Sequence, residues 1–564
     1  MAFTVSINLA KHRITAVLDN LSSKKGVKYA VYLIAVSLFL ALMLLPPVLG
    51  IAIKWNTMQQ VLEQPELMSR ALVAIGNSFA IALLVSAIGL VTGIPMAWLI
   101  VRRKSRWISV LDPLSDIPFI VPTAVLGYSL LLFWSKPEEV SSLFGSSLMS
   151  PGWFLVMLLH FAFSYPVVVR VVVGALLDYK MEYENASRTL GAPPLTASRT
   201  VTLAIIKPSL IAAFILAFSR SISETGATFI VAGLFENGPV FIQNIKNDFA
   251  AGVVSEATYE GATVFASFVL IAIAIALFFV IRALAPRLRL PAKRIWPTFE
   301  RKLSYTTAQS SRDGITLLIF FALVLIPSLF VALPAFTAIL TDTLPKALSG
   351  GGGWGQYWQS LVLSYFLGAT VTILNIVIGL PVAIIIARRK FGTIMSAVLD
   401  VLVNIPLVVP SIALGISLAI FWKTSFAFIP ELWLLIFAHL AITYPYFVRS
   451  MSAAVERISI DLEEASRTLG AKPLAVFRTI ILPLTKYSIL SGAIMVFTRS
   501  VSETGATVAV VTTLKTVPVV LVDWVKHPAQ FTSLETGLGS GFLVLFSFII
   551  LLALRLLVKG KGRY

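Results

Sequence analysis

The chain has no cysteine among its 564 residues, which excludes disulfides, thiolate metal sites and a cysteine nucleophile together. It is also poor in charge. Asp, Glu, Lys and Arg make up 13% of residues against 57% hydrophobic, where a globular domain carries about 25% charged residues to cover itself with a hydrated surface. With a mean hydropathy of +0.89, the missing solvent is lipid. No Gly-x-x-x-x-Gly-Lys-Ser/Thr segment occurs, so the chain has no loop of its own to cradle the phosphates of ATP. Nor does it hold His-Glu-x-x-His, a carboxylate-rich metal cage or a nucleophile elbow. Enzyme activity, a metal site and a bound cofactor are therefore not expected of this chain. The net charge of +18, from 45 Lys+Arg and 27 Asp+Glu, could suggest nucleic acid, but basic residues in membrane proteins serve first to orient helices. No nucleic-acid partner is expected.

What is present is hydrophobic length. A bilayer core requires about 20 apolar residues in helical form, because every backbone N–H and C=O must be paired within the segment. Twelve stretches qualify, near 29–53, 72–101, 108–134, 152–177, 205–234 and 258–283, then 314–339, 358–387, 393–422, 431–454, 484–512 and 533–558. Basic residues cluster beside alternate ends: Arg102-Arg103-Lys104-Ser105-Arg106, the loop around Arg188 and Arg199, the 284–312 connector, Arg388-Arg389-Lys390, the loop around Arg467 and Lys472, and Lys559, Lys561 and Arg563. That side is expected to be cytoplasmic, with both termini inside a multi-pass inner membrane protein. The opposite loops carry Glu63, Glu66, Glu138, Glu139, Glu236, Asp248, Asp342 and Asp523. The stretch up to Lys28 lacks the apolar core and cleavage site of a secretory signal and reads as a cytoplasmic tail.

The chain repeats itself. Ser187-Arg188-Thr189-Leu190-Gly191-Ala192 returns 279 residues later as Ser466-Arg467-Thr468-Leu469-Gly470-Ala471. The same register carries Ser223-Glu224-Thr225-Gly226-Ala227-Thr228 onto Ser502-Glu503-Thr504-Gly505-Ala506-Thr507, and His160, Tyr165, Pro166 and Arg170 onto His439, Tyr444, Pro445 and Arg449. Each half starts on the same side and has six stretches, so the halves run parallel about an axis along the membrane normal. The expected fold is all-α and polytopic, with two parallel repeats of about six helices. Its divisions are a tail at 1–28, a first membrane domain at 29–283, a basic cytoplasmic linker at 284–313, a second membrane domain at 314–558 and a tail at 559–564.

Between the fourth and fifth stretches of each half lies its longest polar loop. In the second half it runs through Glu463-Glu464-Ala465-Ser466, then Gly470, then Ile481-Leu482-Pro483. Small residues on one helix face let a neighbour approach closely, and a glycine permits the reversal that ends the helix. This loop resembles the EAA loop of ABC importer permeases, with Glu464, Ala465, Ser466, Gly470, Leu482 and Pro483 at the matching positions. The resemblance implies the fold of type I importer permeases and a coupling helix seated in a cytoplasmic ATPase. It also implies two ABC ATPase subunits that hold the ATP and Mg, and a separate extracytoplasmic substrate-binding protein. The first half departs from the pattern: Glu184-Asn185-Ala186-Ser187 and Gly191 place Asn185 where Glu464 stands, and Ala204 replaces Pro483. Glu184, aligned with Glu463, is the expected substitute acid, so charge reversal at Glu464 should weaken ATPase assembly more than reversal at Glu184. The fused length resembles ferric-iron and thiamine importer permeases, and the Arg-x-x-x-Glu-Thr-Gly segments resemble the molybdate and sulfate branch. A secondary transporter driven by an ion gradient is the alternative that the topology alone leaves open.

Ionisable residues inside spans are functional candidates by default. Arg220 and Glu224, repeated as Arg499 and Glu503, are spaced to meet on one helix face. They form either a self-satisfied pair or part of a path or gate, with Gly226 and Gly505 allowing close helix approach. His160 and His439 read as hydrogen-bonded core residues. Pro166 and Pro445, with Pro118, Pro122, Pro406 and Pro410, are expected to kink their helices.

Overall fold

The computed structural model describes residues 17–103, 106–136, 147–284, 287 and 297–558. The expected features at Lys104, Ser105, Glu138, Glu139, residues 285–286 and 288–296 of the linker and the basic C-terminus lie outside them. Within the described residues the regular elements are helices. The first half comprises α1 (Lys25–Ile53), α2 (Pro65–Arg102), α3 (Arg106–Leu114), α4 (Thr123–Ser135), α5 (Trp153–Leu177), α6 (Met181–Thr189), α7 (Lys207–Ile222), α8 (Gly226–Val231), α9 (Gly238–Ala250) and α10 (Glu256–Leu284). A connecting helix, α11 (Pro297–Leu303), leads into the second half. That half repeats the order as α12 (Thr306–Ile339), α13 (Trp354–Arg388), α14 (Thr393–Val408), α15 (Ser411–Ser425), α16 (Glu431–Glu456), α17 (Ile460–Thr468), α18 (Leu482–Val501), α19 (Gly505–Val510), α20 (Val517–Lys526) and α21 (Ser533–Val558).

Nine described helices are long and apolar enough to cross a membrane, or eleven if each of two bent pairs counts as one span. Four of the twelve expected stretches are broken helices, two of them at Pro122 and Pro410, where kinks are expected. The third stretch of each half is broken before a proline: Val121 (ψ 127°) and Val409 (ψ 132°) turn extended ahead of Pro122 and Pro410, because a residue preceding proline is driven out of the α region. In the second half the two pieces meet at a 107° bend. The fifth stretch of each half breaks after Ile222 and Val501, and a short helix resumes at Gly226 and Gly505. By contrast α5 and α16 run through Pro166 and Pro445 without a break.

The two halves exchange their first spans. Helix α1 packs on α13 and α15 of the second half, while the middle of α12 packs on α4 and α5 of the first. A matched stacked aromatic pair helps to pin each exchange. Phe39 stacks on Tyr444 with centroids 5.0 Å apart, and Phe320 stacks on Tyr165 at 6.2 Å, pairs worth about 0.5–1.5 kcal/mol beyond their burial. The tyrosines of the two Tyr-Pro repeats are thus receptors for the opposite half's first span. One hydrophobic core runs through residues of both halves. Val73 and Val91 on α2 and Val362 and Val377 on α13 remain exposed, the placement expected where lipid is the solvent.

The molecule has two distinguishable ends. At one, α2 and α5 finish and α6 begins. At the other, Gly152 before α5 donates from its N–H to the Val231 carbonyl that closes α8, at 2.9 Å. We call them the knob end and the far end.

Candidate functional site

Serine and threonine decide where the fifth spans stop. Ser223 and Ser502 each donate from the hydroxyl to the carbonyl three residues back, on Arg220 and Arg499, at 3.2 Å, competing with the helix ladder. The following carboxylates then serve the next helix. Glu224 accepts the N–H of Ala227 at 3.2 Å and Glu503 that of Ala506 at 3.0 Å, so each sits at a positive helix N-terminus. The expected ion pairs are made, Arg220 to Glu224 at 3.0 Å and Arg499 to Glu503 at 2.5 Å, but across the break and not along one continuous helix face.

The histidines bridge the same break. The two ring nitrogens of His160 lie 2.8 Å from Ser221 Oγ on α7 and 2.9 Å from Thr228 Oγ1 on α8. His439 holds Ser500 and Thr507 at 2.9 Å each. Each imidazole therefore clamps the two pieces of a broken span at fixed separation.

The breaks of the two halves meet each other. A Cβ built on Gly226 would lie 2.3 Å from Thr504 Oγ1, and one on Gly505 would lie 2.6 Å from Thr225 Cβ. Glycine is required at both crossings because no side chain fits. Ser411 at the start of α15 donates to the Ser223 carbonyl at 3.2 Å and meets the Thr225 hydroxyl at 3.3 Å, and Thr123 at the start of α4 donates to the Ser502 carbonyl at 3.4 Å. The Ser-Glu-Thr-Gly repeats thus close the seam between the halves at one level.

On the knob-end side of this closure two cavities lie between the halves, one of about 600 Å³ where α5 faces α18 and one of about 800 Å³ where α16 faces α7. Their repeated arginines differ. Arg170 bonds Asp112 at 2.8 Å and forms a double contact with Asp116. Arg449 has Asn404 in place of Asp116 and makes one bond to it, at 3.3 Å.

The two polar loops fold as matched knobs. Gly191 and Gly470 both take φ +87°, the left-handed conformation that ends a helix. The next N–H turns back to the carbonyl of Ser187, at 3.2 Å, or of Ser466, at 3.0 Å. Leu190 and Leu469 are each 89% exposed. Asn185, Ala186, Glu464 and Ala465 are exposed as well, with Ser187 and Ser466 half-buried.

Glu184 and Glu463 do not share that exposed face, contrary to the expectation that Glu184 substitutes for the missing acid. They are buried, and they anchor the knob to its own half. Glu184 pairs with Arg102 at 3.2 Å and accepts from Thr202 at 2.7 Å, while Glu463 pairs with Arg388 at 2.8 Å. Ala204 in place of Pro483 changes little locally, since both loops return through a π turn, at Ser198–Thr202 and Phe477–Ile481.

Sequence reasoning missed a second anchor. The residues ahead of each first span clasp the loop of the opposite half. Asp19 pairs with Arg478 at 3.5 Å, Asn20 bonds Lys472, and Ser22 accepts the Leu474 N–H at 3.2 Å. In the same way Glu300 pairs with Arg199 at 2.9 Å and accepts from Thr196 at 2.5 Å, and Ser304 accepts the Leu195 N–H at 3.2 Å. The signal was the duplicated Leu and Arg at 195 and 199 and at 474 and 478, whose partners lie at unmatched spacings in segments of unremarkable composition.

Comparison with known proteins adds a family. A model described as "Binding-protein-dependent transport system inner membrane component" matches residues 89–290 and again 379–560. The sulfate transport system permease protein CysT of Salmonella typhimurium is 32% identical over 207 residues, 35% of this chain and 72% of that protein. The molybdenum transport system permease protein ModB of Escherichia coli is 30% identical over 190 residues, 30% of this chain and 81% of that protein. The molybdate/tungstate transport system permease protein WtpB of Pyrococcus furiosus is 30% identical over 205 residues, 36% of this chain and 79% of that protein.

Proposed function

We propose, from the premise that this chain belongs to the family of inner membrane components of binding-protein-dependent transport systems and carries that family's domain twice, that it forms by itself the membrane path of an ATP-driven importer for tetrahedral oxyanions. The names of the three relatives favour sulfate, molybdate or tungstate as cargo over iron(III) or thiamine. The knob end faces the cytoplasm, with both termini there. The two domains, 29–283 and 314–558, stand where two separate permease chains would stand, joined by the linker at 284–313.

The observation that carries the reading is the pair of knobs. Two short helices, α6 and α17, project at the same end, each braced by a buried carboxylate and each presenting a bare leucine, Leu190 or Leu469. A leucine so exposed at the tip of a rigid helix suits a cleft in another protein. Two cytoplasmic ABC ATPase subunits, holding ATP and Mg, receive the knobs. Their approach and separation move the knobs, and the buried pairs at Arg102 and Arg388 pass the displacement to α2 and α13. The far end receives the binding protein and its anion. The crossing of Gly226 and Gly505 with Thr504 and Thr225 is the gate, and the Arg–Glu pairs and histidine clamps keep its broken helices rigid while the halves part. The cargo passes through and this chain performs no chemistry on it.

Reconstitution with the ATPase and the binding protein in liposomes tests the reading. Uptake of radiolabelled sulfate or molybdate should require ATP and the loaded binding protein. Uptake driven by an ion gradient alone would instead favour a secondary transporter, the alternative that the two parallel halves allow.

A further inference from the structure

At the far end, between the halves and above the closed crossing, lies a cavity of about 220 Å³. Its floor comes from the two short helices of the broken spans, Phe229 of α8 and Thr507 and Val508 of α19. Its walls come from α9 and α20, with Lys246 on one and Asp523 and Lys526 on the other, and Lys515 stands in the loop before α20. Three lysines and one carboxylate line it. Lys515 and Asp523 neutralise each other in an ion pair at 2.6 Å.

The two remaining lysines make no ion pair among the described residues. Lys246 donates to the Val508 carbonyl, using one of its three N–H bonds. Lys526 sits over the Phe229 ring, 5.2 Å from its centroid. Both ammonium groups are held below their usual pKa, Lys246 at about 8 through burial and the charge of Lys423, with Glu431 opposing, and Lys526 through burial, with Asp523 opposing. Cations kept partly buried without a carboxylate are costly, and the same arrangement favours an anion that arrives with oxygens to accept the free N–H bonds.

The repeat shows that these charges are not relics of duplication. At the 279-residue register Lys246 corresponds to Val525 and Lys526 to Asn247. Each half supplies one lysine from a position where the other half has none, and the fold brings both to one cavity on the seam.

We propose that this cavity is a receiving site for the oxyanion, in which Lys246 and Lys526 hold it at the far end after release from the binding protein and before the crossing opens. The proposal rests on the transport reading above, and its test separates the two. The complete transporter in liposomes is assayed for ATP-driven uptake of radiolabelled sulfate and molybdate. The pair Lys246→Gln with Lys526→Gln should lower uptake at limiting binding protein by about tenfold or more, the scale of electrostatic focusing, and should flatten its dependence on ionic strength. The pair Lys246→Arg with Lys526→Arg should keep most of the uptake. Asp523→Asn, which frees Lys515 and adds a charge to the cavity, should raise it about two- to threefold at low salt.

A wild type that moves neither anion overturns the transport reading. A wild type that moves them beside a Gln pair with unchanged uptake overturns only this inference, and would leave Lys246 as a cap on the end of α19. Arginine variants as impaired as the Gln pair would overturn it too. If the Gln pair fails to assemble with the ATPase, Asp523→Asn decides, and an uptake no higher than wild type counts against the site.

Discussion

The first half ties its fourth span down and the second leaves it looser. Arg170 is held between Asp112 and Asp116, whereas Arg449 has Asn404 at the corresponding place and a single bond at 3.3 Å. The knobs differ in the other direction. Asn185 lies on the exposed face of α6 where Glu464 lies on α17, and the anchor of the second knob is the more deeply buried, with Arg388 and Glu463 at 6% and 5% exposure against 18% and 5% for Arg102 and Glu184. What the halves share without change is the Ser-Glu-Thr-Gly crossing, the histidine clamp and the phenylalanine-on-tyrosine exchange. The crossing and the exchange each need a partner from the other half, and the histidine clamp holds one broken span together within each half. The arginine beside the fourth span and the exposed face of the knob have drifted apart.

The crossing is where breaking this symmetry should cost most. Gly505→Val puts side-chain atoms where Thr225 already stands. Overpacking costs about 1–3 kcal/mol, and uptake should be abolished; Thr225→Ala in the same chain should restore part of it, and an absence of rescue would mean that the two breaks do not press on each other.

Next come the anchors. Glu463→Gln leaves Arg388 buried without its partner, a change of about 3–5 kcal/mol for a buried pair. It should uncouple ATP hydrolysis from uptake more severely than Glu184→Gln, whose Arg102 is more exposed. Equal losses in the ratio of anion moved to ATP hydrolysed would contradict the ranking. A charge reversal at Glu184 therefore breaks a brace, and the fair test of the exposed faces is Asn185→Glu against Glu464→Gln.

Smaller effects remain. Below pH 8 Lys246 carries its charge, and it loses that charge as pH rises through about 8. With Lys423, Glu431, Lys515, Asp523 and Lys526 as the neighbouring ionisable groups, uptake at limiting binding protein should decline across that range in the wild type and not in Lys246→Arg. Asp116→Asn should make the first half resemble the second. Because Arg170 is 38% exposed, solvent screening keeps the loss to about 1 kcal/mol or less, visible as a small drop in melting temperature. The least effect is expected from Asn185→Glu, a modest gain in ATPase capture by pull-down.

Much of this was readable from the residues. The duplication, the parallel halves and the paired knobs follow from 564 residues in which Gly191 and Gly470, or Glu224 and Glu503, recur in register. Misreadings arose where hydropathy hides backbone chemistry. The third and fifth stretches of each half are apolar enough to pass for single spans, yet the kinks expected at Pro122 and Pro410 are full breaks, and Ser223 and Ser502 break the fifth stretches where no proline signals it. Glu184 and Glu463 carry nothing in their local sequence to say that they turn inward, since the arginines they meet are 82 and 75 residues away.

By itself, then, the sequence determined that the chain lives in lipid, that it is two copies of one unit and that each copy bears an identical reversal at a glycine, because composition and repetition act locally. Only the tertiary structure decided which half each first span serves, which carboxylate braces a knob, and that Thr225 and Gly505, or Lys246 and Lys526, share one seam. Those are contacts between residues far apart in the chain. Their energies depend on distance in space, and residue order specifies that distance only through the whole fold.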